Sequence, residues 1–336
     1  MSGNPTILSS RVRLARNYQD LPFDVAGKPD CAAMCVARTA GALRLSGNDE
    51  GFELLHLKDM GDVQRRSLAE CHLISRDLMR NPDVAAVLLN QQDAVSVMMN
   101  EEDHLRIQAI RDGMALQEAA DACFRVDDAL SRQVSFAFDE QLGYLTACPT
   151  NTGTGMRASL LIHLPMLTLL KQMGSVGQIV AKVGLTIRGV YGEGAEALGN
   201  LYQVSNQVTL GRTEQELISA VTAVGHQLTD MELALRDKTL STGRSALEDT
   251  VYRGLGLMKY ARCMPLEEFF RHWSGVRLGA AMGLVPVSLS ALDALLIQVQ
   301  PANLQAMTES AATGRELDEK RAQCVRAALA DIDVKD

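Results

Sequence analysis

The sequence predicts an α+β fold, an antiparallel sheet flanked by helices, followed by a small all-helical C-terminal domain. Three observations predict it. From Val84 to Ile110, short β-rich runs (VAAVLLN, AVSVMMN and the end of EEDHLRIQAI) are separated by polar turns, as neighbouring antiparallel strands are. Up to about residue 237, such strands alternate with helical stretches in hairpin-like neighbours. Beyond about residue 238 no strand candidate appears, and the periodic stretches are helical.

Taken in order, the chain opens as loop with one arginine-bearing strand, SSRVRLAR. Helix-forming residues dominate from about Cys31 to Leu45, and after the strands of 84–110 a helical pattern runs from about Met114 to Arg132. FAFDEQLGYLTACPT reads as strand, turn, strand, ending at Pro149. TNTGTGMRASLLIHLPML reads as a glycine-containing loop feeding a helix. QIVAKVG is a further helix, LTIRGVYGEG a strand running into a loop, and LGNLYQVSNQVTLG a strand. Thr213 and Glu216 form a capping box that opens a long helix towards Asp237. A second box, Ser245 and Glu248, lies in DKTLSTGRSALEDTVYRGLGLMKYAR, and MPLEEFFRHW, LSALDALLIQV and EKRAQCVRAALADI continue in helical period. The boundary falls near residue 240, giving a larger domain over 1–238 and a small helical domain over 239–336.

Composition narrows the function classes. With 33 Lys and Arg against 41 Asp and Glu, the net charge is −8, which argues against nucleic acid as the main partner. No apolar run approaches bilayer length and MSGNPTILSSRVRLAR has no apolar signal core, so a cytoplasmic protein without membrane association is expected. The seven cysteines are odd in number and without CxxC spacing, which suits free thiols in a reducing compartment. Cys31 and Cys35, four apart in a helical stretch, read as core packing, and no metal-ligand set is expected.

Four polar clusters place charge where strands end or helices begin. In Ser9-Ser10-Arg11-Val12-Arg13, the period of two puts Arg11 and Arg13 on one strand face, where both guanidinium forks can meet one polyphosphate. By itself the string reads more readily as a solvated edge strand. Asn100-Glu101-Glu102-Asp103 sets three acids side by side, whose repulsion a cationic substrate would relieve; a plain acidic turn is the other reading. Cys148 to Ser159 reads as a loop entering a helix whose N-terminal amides, with Arg157, favour anions. It lacks the lysine of GxxxxGK[ST], and neither that pattern nor an HRD and DFG set occurs in the chain. Arg188 to Glu196 carries glycines on both sides of Glu193, which suits either a closing loop or a surface hairpin.

In this order, SSRVRLAR, NEEDHLR and CPTNTGTGMRAS resemble the phosphagen (guanidino) kinase family over about residues 6–237. HLISRDL, GVYGEGAEALGNLYQVSNQVTLG and QPANLQ resemble more specifically its bacterial protein-arginine kinases. The resemblance implies the guanidino kinase catalytic fold and ATP-dependent phosphorylation of arginine side chains in proteins, with Mg²⁺ accompanying ATP. A kinase for a free guanidino compound such as arginine, or a non-catalytic phosphoarginine-binding adaptor, are the alternatives. Small-molecule members generally carry a helical domain ahead of the core, whereas SSRVR begins at Ser9, so an open acceptor side suited to arginine on a protein is expected.

Carried over residue by residue, the resemblance implies that Arg11, Arg13, Arg106, Arg157 and Arg188 bind the nucleotide phosphates. Ser9, Ser10, Val12, His72, the helix start Ala158, Ser159, Leu160 and Leu161, and Gly189, Val190, Tyr191 and Gly192 would line the same ATP site. Glu102 would bind the acceptor guanidinium and take its proton, Glu193 would be its partner from the closing loop with Glu196 as the competing choice, and Cys148 would position the guanidinium without attacking. The family's phosphoarginine-binding motif RDxxRA falls on Leu317 to Ala322, where Asp318 and Arg321 fit and Leu317 replaces the first arginine; an exposed amphipathic helix reads equally well there. The resemblance further implies a homodimer through the helical domain, a zinc-binding activator protein, and a stress response in which phosphoarginine marks proteins for a Clp-type ATPase and protease.

Overall fold

The computed structural model describes residues 4–23, 28–190, 197–308 and 311–332. Its centre is a sheet in the order β2-β3-β4-β5-β1-β8-β10-β9, built from β1 (Ile7–Arg16), β2 (Glu53–His56), β3 (Ala86–Asn90), β4 (Val95–Met99), β5 (Leu105–Asp112), β8 (Met156–His163), β9 (Leu185–Gly189) and β10 (Leu201–Asn206). Every described pairing in it is antiparallel. A separate small hairpin joins β6 (Phe138–Asp139) to β7 (Gly143–Tyr144).

The two faces of the sheet differ because side chains alternate along a strand. Val12, Leu14, Ile107, Ala109, Ala158 and Leu160 are fully buried on one face. They form the main core with α1 (Pro29–Leu45), α3 (Leu116–Ser131) and the first part of α6 (Glu214–Tyr260). Each valine, leucine or isoleucine among them contributes about 1.5–3 kcal/mol by burial. The helix α6 lies so close that a Cβ on Gly225 would meet Leu160 Cδ1 at 2.5 Å.

Among the described residues, the opposite face is covered only at its two ends. At one end Val87 and Met98 pack with Leu57, Ile74 and Leu78, next to α2 (Asp62–Glu70). At the other end Leu201, with Leu8, Leu161 and Val190 beside it, packs into the core of the C-terminal helices. These helices are the second part of α6, α7 (Leu266–Ala281), α8 (Leu289–Gln298), α9 (Pro301–Thr308) and α10 (Gly314–Ala328). Two short helices, α4 (Pro165–Leu169) and α5 (Met173–Lys182), connect β8 to β9. The strip of sheet between the two covered ends is lined by polar side chains.

The α+β fold and the three strands of 84–110 agree with the sequence expectation, and the capping box at Thr213 is formed: Glu216 N donates to Thr213 Oγ1 at 3.2 Å and Thr213 N to Glu216 Oε2 at 2.9 Å. Two expectations need correction. The stretch MRASLLIH is a strand, β8, not the start of a helix. It is a central strand lying between β1 and β10, and its alternation over Met156–Leu160 breaks down in the apolar run Leu160-Leu161-Ile162, because Leu161 on the open face packs against the C-terminal core. The helix expected to end near Asp237 runs on to a kink at Gly243 (φ −148°), beyond which a second helical stretch of α6, with Ser245 in its first turn, continues to Tyr260. The strand β2 and helix α2 were not anticipated by the periodicity.

Candidate active site

Strand register gathers the arginines on the open strip. Arg13 pairs with Arg157 across β1 and β8 and with Gln108 across β1 and β5. Arg11 pairs with Ser159 and Ile110, and Arg188 with Gln203, whose Oε1 accepts from Arg11 Nη2 at 3.2 Å. Directly opposite residues share a face, where like charges repel. The buried Nε atoms of Arg13 and Arg157 have no hydrogen-bond partner among the described residues. Burial, reinforced by Arg11, Arg106 and Arg157, pushes the Arg13 guanidinium well below its usual range. Burial, with Arg188 and Arg106, does the same in direction for Arg157. A polyanion would satisfy both the orphaned donors and the uncompensated charge.

The acid string at the β4–β5 turn resolves into three different jobs. Glu101 is buried, accepts from Ser75 Oγ at 2.6 Å and pairs with Arg106 at 2.6 Å. Burial raises its pKa, and Arg106 opposes the rise. Asp103 is also buried and accepts from Asn17 Nδ2 at 2.6 Å and from Ala147 N at 2.7 Å. His104 Nδ1 accepts from Tyr18 N at 2.9 Å. Glu102 alone of the three acids is exposed. The three acids therefore do not share one cation, as their adjacency suggested: two are neutralised from within the fold and one faces outward.

Glu102 borders a pocket of about 180 Å³ together with Arg13, Arg106, Cys148, Arg157 and Asn151. Cys148 arrives there on a loop held at several points. Asp103 binds the amide of Ala147, Thr209 Oγ1 donates to Thr150 O and Thr152 O at 3.0 and 2.7 Å, and Cys148 Sγ lies 3.0 Å from Thr150 Oγ1. Gly155 has φ +64°, and a Cβ on it would meet Ala15 O at 2.6 Å and Arg16 Nη1 at 2.7 Å, so only glycine lets this loop join β8 against β1. Arg16, the last arginine of the first string, is structural: it forms a buried ion pair with Asp127 at 2.7 Å, donates to Thr154 O at 3.1 Å and lies 3.5 Å over the Tyr144 ring.

A second, smaller pocket of about 60 Å³ lies further along the strip, bordered by Ser9, Arg11, His72, Ser159 and Gln203 and by the apolar Ile110, Leu161 and Val190. Burial, with the charges of Arg11 and Arg76, lowers the His72 imidazole to about 4, so the ring is neutral near pH 7. Gly189 lies beside this pocket at the end of β9, paired with Tyr202. The strip thus carries an apolar pocket with a neutral ring at one end, arginines along its length, and a carboxylate with a thiol at the other.

Not every expected site residue reaches the strip. Val12, Ala158 and Leu160 face the main core. Ser10 also points away, donating to Gly113 O at 2.7 Å and accepting from Ala115 N at 2.9 Å. Arg157, Ser159 and Leu161 sit on a strand, so the anion site draws on side chains and not on helix amides. Tyr191, Gly192, Glu193 and Glu196 lie outside the described residues. In the C-terminal helices, Arg321 is buried, donating from Nε to Val299 O at 3.0 Å and from Nη1 to Met264 O at 2.9 Å, and it is paired with Asp318. Leu317 packs with Leu304 and Ala312, an apolar task that an arginine there would not serve. Sequence reasoning missed Ser75, Gln108 and Gln203. Gln108 and Gln203 carry the alternation that puts them beside the arginines, but a glutamine in a strand gives no signal of its own.

Comparison with known proteins places this geometry. Residues 35–235 match the model of the ATP:guanido phosphotransferase C-terminal catalytic domain, and residues 244–336 match the protein-arginine kinase McsB C-terminal domain. The chain is 40% identical over 325 residues to the protein-arginine kinase of Caldanaerobacter subterraneus subsp. tengcongensis, covering 96% of each chain. It is 44% identical over 327 residues to that of Symbiobacterium thermophilum, covering 96% of this chain and 93% of the relative. Among solved structures it resembles a lombricine kinase, with a TM-score of 0.61 and 25% identity over 70% of this chain and 69% of that one. It also resembles the duplicated taurocyamine kinase of Schistosoma mansoni with bound transition-state-analogue components, with a TM-score of 0.62 and 25% identity over 74% of this chain and 37% of that one.

Proposed function

The chain belongs to the ATP:guanido phosphotransferase family, within its protein-arginine kinases, and from that premise we propose that it transfers the γ-phosphoryl group of ATP to arginine side chains of proteins on the open strip of its sheet. One observation carries the reading. Arg13 and Arg157 stand opposite one another with orphaned buried nitrogens, in the same pocket as Glu102, the one exposed acid of its string.

The residues divide the work by position. The apolar pocket at Ile110, Leu161 and Val190, with the neutral ring of His72, suits a nucleobase. Arg11, Arg13, Arg106, Arg157 and Arg188 neutralise the polyphosphate, and the Glu101 carboxylate fixes Arg106 in place. A guanidinium is charged and a poor nucleophile at neutral pH, so it needs orientation and a proton acceptor. Glu102 accepts hydrogen bonds from the acceptor guanidinium beside Cys148, which helps to place it. As a guanidinium nitrogen bonds to the γ-phosphorus, the bond from that phosphorus to the β–γ bridging oxygen breaks, ADP leaves with the electron pair, and Glu102 takes the nitrogen's proton. No phosphoenzyme is required.

The orphaned guanidinium donors fit a polyphosphate, and Mg²⁺ would be held chiefly by the nucleotide's own phosphate oxygens, lending charge neutralisation. Among the described residues no helix is long and apolar enough to cross a membrane. A cytoplasmic setting, a homodimer, a zinc-binding activator and the marking of proteins for a Clp-type protease belong to the same proposal and rest on kinship with the protein-arginine kinases.

The test is incubation with Mg-ATP and an arginine-rich unfolded protein, followed by mass spectrometry under non-acidic conditions that preserve the P–N bond. Phosphate on protein arginine is expected. Turnover confined to free arginine would sink the protein-substrate reading.

A further inference from the structure

The C-terminal helices touch the catalytic domain at a second place, beside the apolar pocket. Glu70, the last residue of α2, accepts from the amides of Ala302 and Asn303 in the first turn of α9, at 3.0 and 2.9 Å. Those amides are donors with no partner inside their own helix, and the positive end of the helix dipole favours a carboxylate there. Three further bonds join the same helices: Ser67 Oγ to Asn303 Oδ1 at 2.5 Å, Cys71 Sγ to Asn303 Oδ1 at 3.6 Å, and Arg66 Nη2 to Gln305 Oε1 at 3.3 Å.

Two residues beyond Glu70 the chain reaches His72, which has φ +60° although it is not glycine. A side-chain-bearing residue holds that conformation only where its surroundings over-determine it. One side of the constraint is the sheet, since Gln108 Nε2 donates to His72 O at 2.8 Å. The other side is α2, through His72 N to Ala69 O at 3.0 Å and Cys71 N to Ser67 O at 2.9 Å. In turn α2 is held by α9. The His72 ring borders the apolar pocket with Arg11.

We propose that Glu70 and the N-terminal turn of α9 form a clamp that positions His72, so that the C-terminal helices set the affinity of the nucleotide site. Glu70 and Asn303 are positioning residues; neither borders the pockets. The inference rests on the reading of the arginine-lined strip as the nucleotide site.

The experiment uses the full chain and its Glu70→Ala, Glu70→Gln and Asn303→Ala variants. Mg-ADP affinity is measured by calorimetry, and kcat and KM are measured with ATP and with an arginine-bearing acceptor protein. Glu70→Ala is expected to raise the Kd for Mg-ADP and the KM for ATP about fivefold or more, the range of ordinary site-to-site coupling, with kcat and acceptor KM within about twofold. Asn303→Ala should move the same two quantities by less, and Glu70→Gln, which keeps one acceptor oxygen, should fall between Glu70→Ala and the unaltered chain. Because coupling is reciprocal, Mg-ADP should slow hydrogen exchange at the amides of Ala302 and Asn303 in the unaltered chain. Unchanged Mg-ADP affinity in Glu70→Ala and Asn303→Ala, with no protection of α9, overturns this inference and leaves the nucleotide site intact. Failure of Mg-ADP to bind the unaltered chain overturns both.

Discussion

Arg13 on β1 stands directly opposite Arg157 on β8, and the buried Nε of each lacks a partner among the described residues. Two guanidiniums in this relation cost the nucleotide-free protein stability, and they repel until an anion lies between them.

Replacing Arg157 with Gln should therefore separate stability from function. Without nucleotide, Tm is expected to rise by about 1–3 °C, since a like-charged cross-strand pair costs up to about 1 kcal/mol. The stabilisation on adding Mg-ATP should shrink sharply. Differential scanning fluorimetry with and without Mg-ATP reads both, and a lower Tm with an unchanged ATP response would contradict the role given to this pair.

The two neighbouring glutamates should fail differently. Glu102→Gln is expected to lower kcat by about 100-fold or more, the usual contribution of a positioned proton acceptor, with Mg-ADP affinity near that of the unaltered chain. Glu101→Gln weakens the hold on Arg106 and should act mainly on the KM for ATP. Steady-state kinetics at varied ATP, together with Mg-ADP calorimetry, distinguish the two; equal losses in kcat for both variants would refute the division of labour.

Asp103 ties the β1 end to the loop that carries Cys148, through Asn17 and the amide of Ala147. Asp103→Ala leaves the buried Asn17 Nδ2 donor and the Ala147 amide without this acceptor and should destabilise the chain by about 1–3 kcal/mol, measured by urea unfolding. Since the loop loses an anchor, activity should fall even where the variant remains folded. Full stability in the variant would mean that the loop is held without it.

Acid should weaken the fold partly through His72. Its folded pKa of about 4 lies below the ordinary 6.5, so between these values the unfolded chain binds a proton that the folded chain refuses. Stability from this group is present above pH 6.5 and is lost as pH falls towards 4, by at most about 3 kcal/mol. His163, buried between Arg277 and Arg236, shifts in the same direction. A His72→Asn variant should show a shallower loss of stability over this window in urea titrations from pH 7 down to 4.5. An unchanged slope would remove His72 as its source.

Much of this site was legible along the chain because strand period is strict. Arg11 and Arg13 share a face from spacing alone, and the antiparallel strands of 84–110 announce the turn that carries Glu101, Glu102 and Asp103. The misread segment, MRASLLIH, shows where that legibility stops. Its alternation ends in the apolar run Leu160-Leu161-Ile162, and the reason Leu161 is apolar, the C-terminal core it packs against, lies far away in sequence.

The sequence by itself determined the α+β class, the residue types of an anion site, and an acid string beside them. Tertiary structure alone decided which acid is available. Glu101 and Asp103 find a guanidinium, a hydroxyl and amide donors brought from Arg106, Ser75, Asn17 and Ala147, and among the described residues Glu102 finds none of these. Spacing fixes the direction in which a side chain leaves the backbone, but the charges and donors that meet it come from other elements, and only the folded register brings them there.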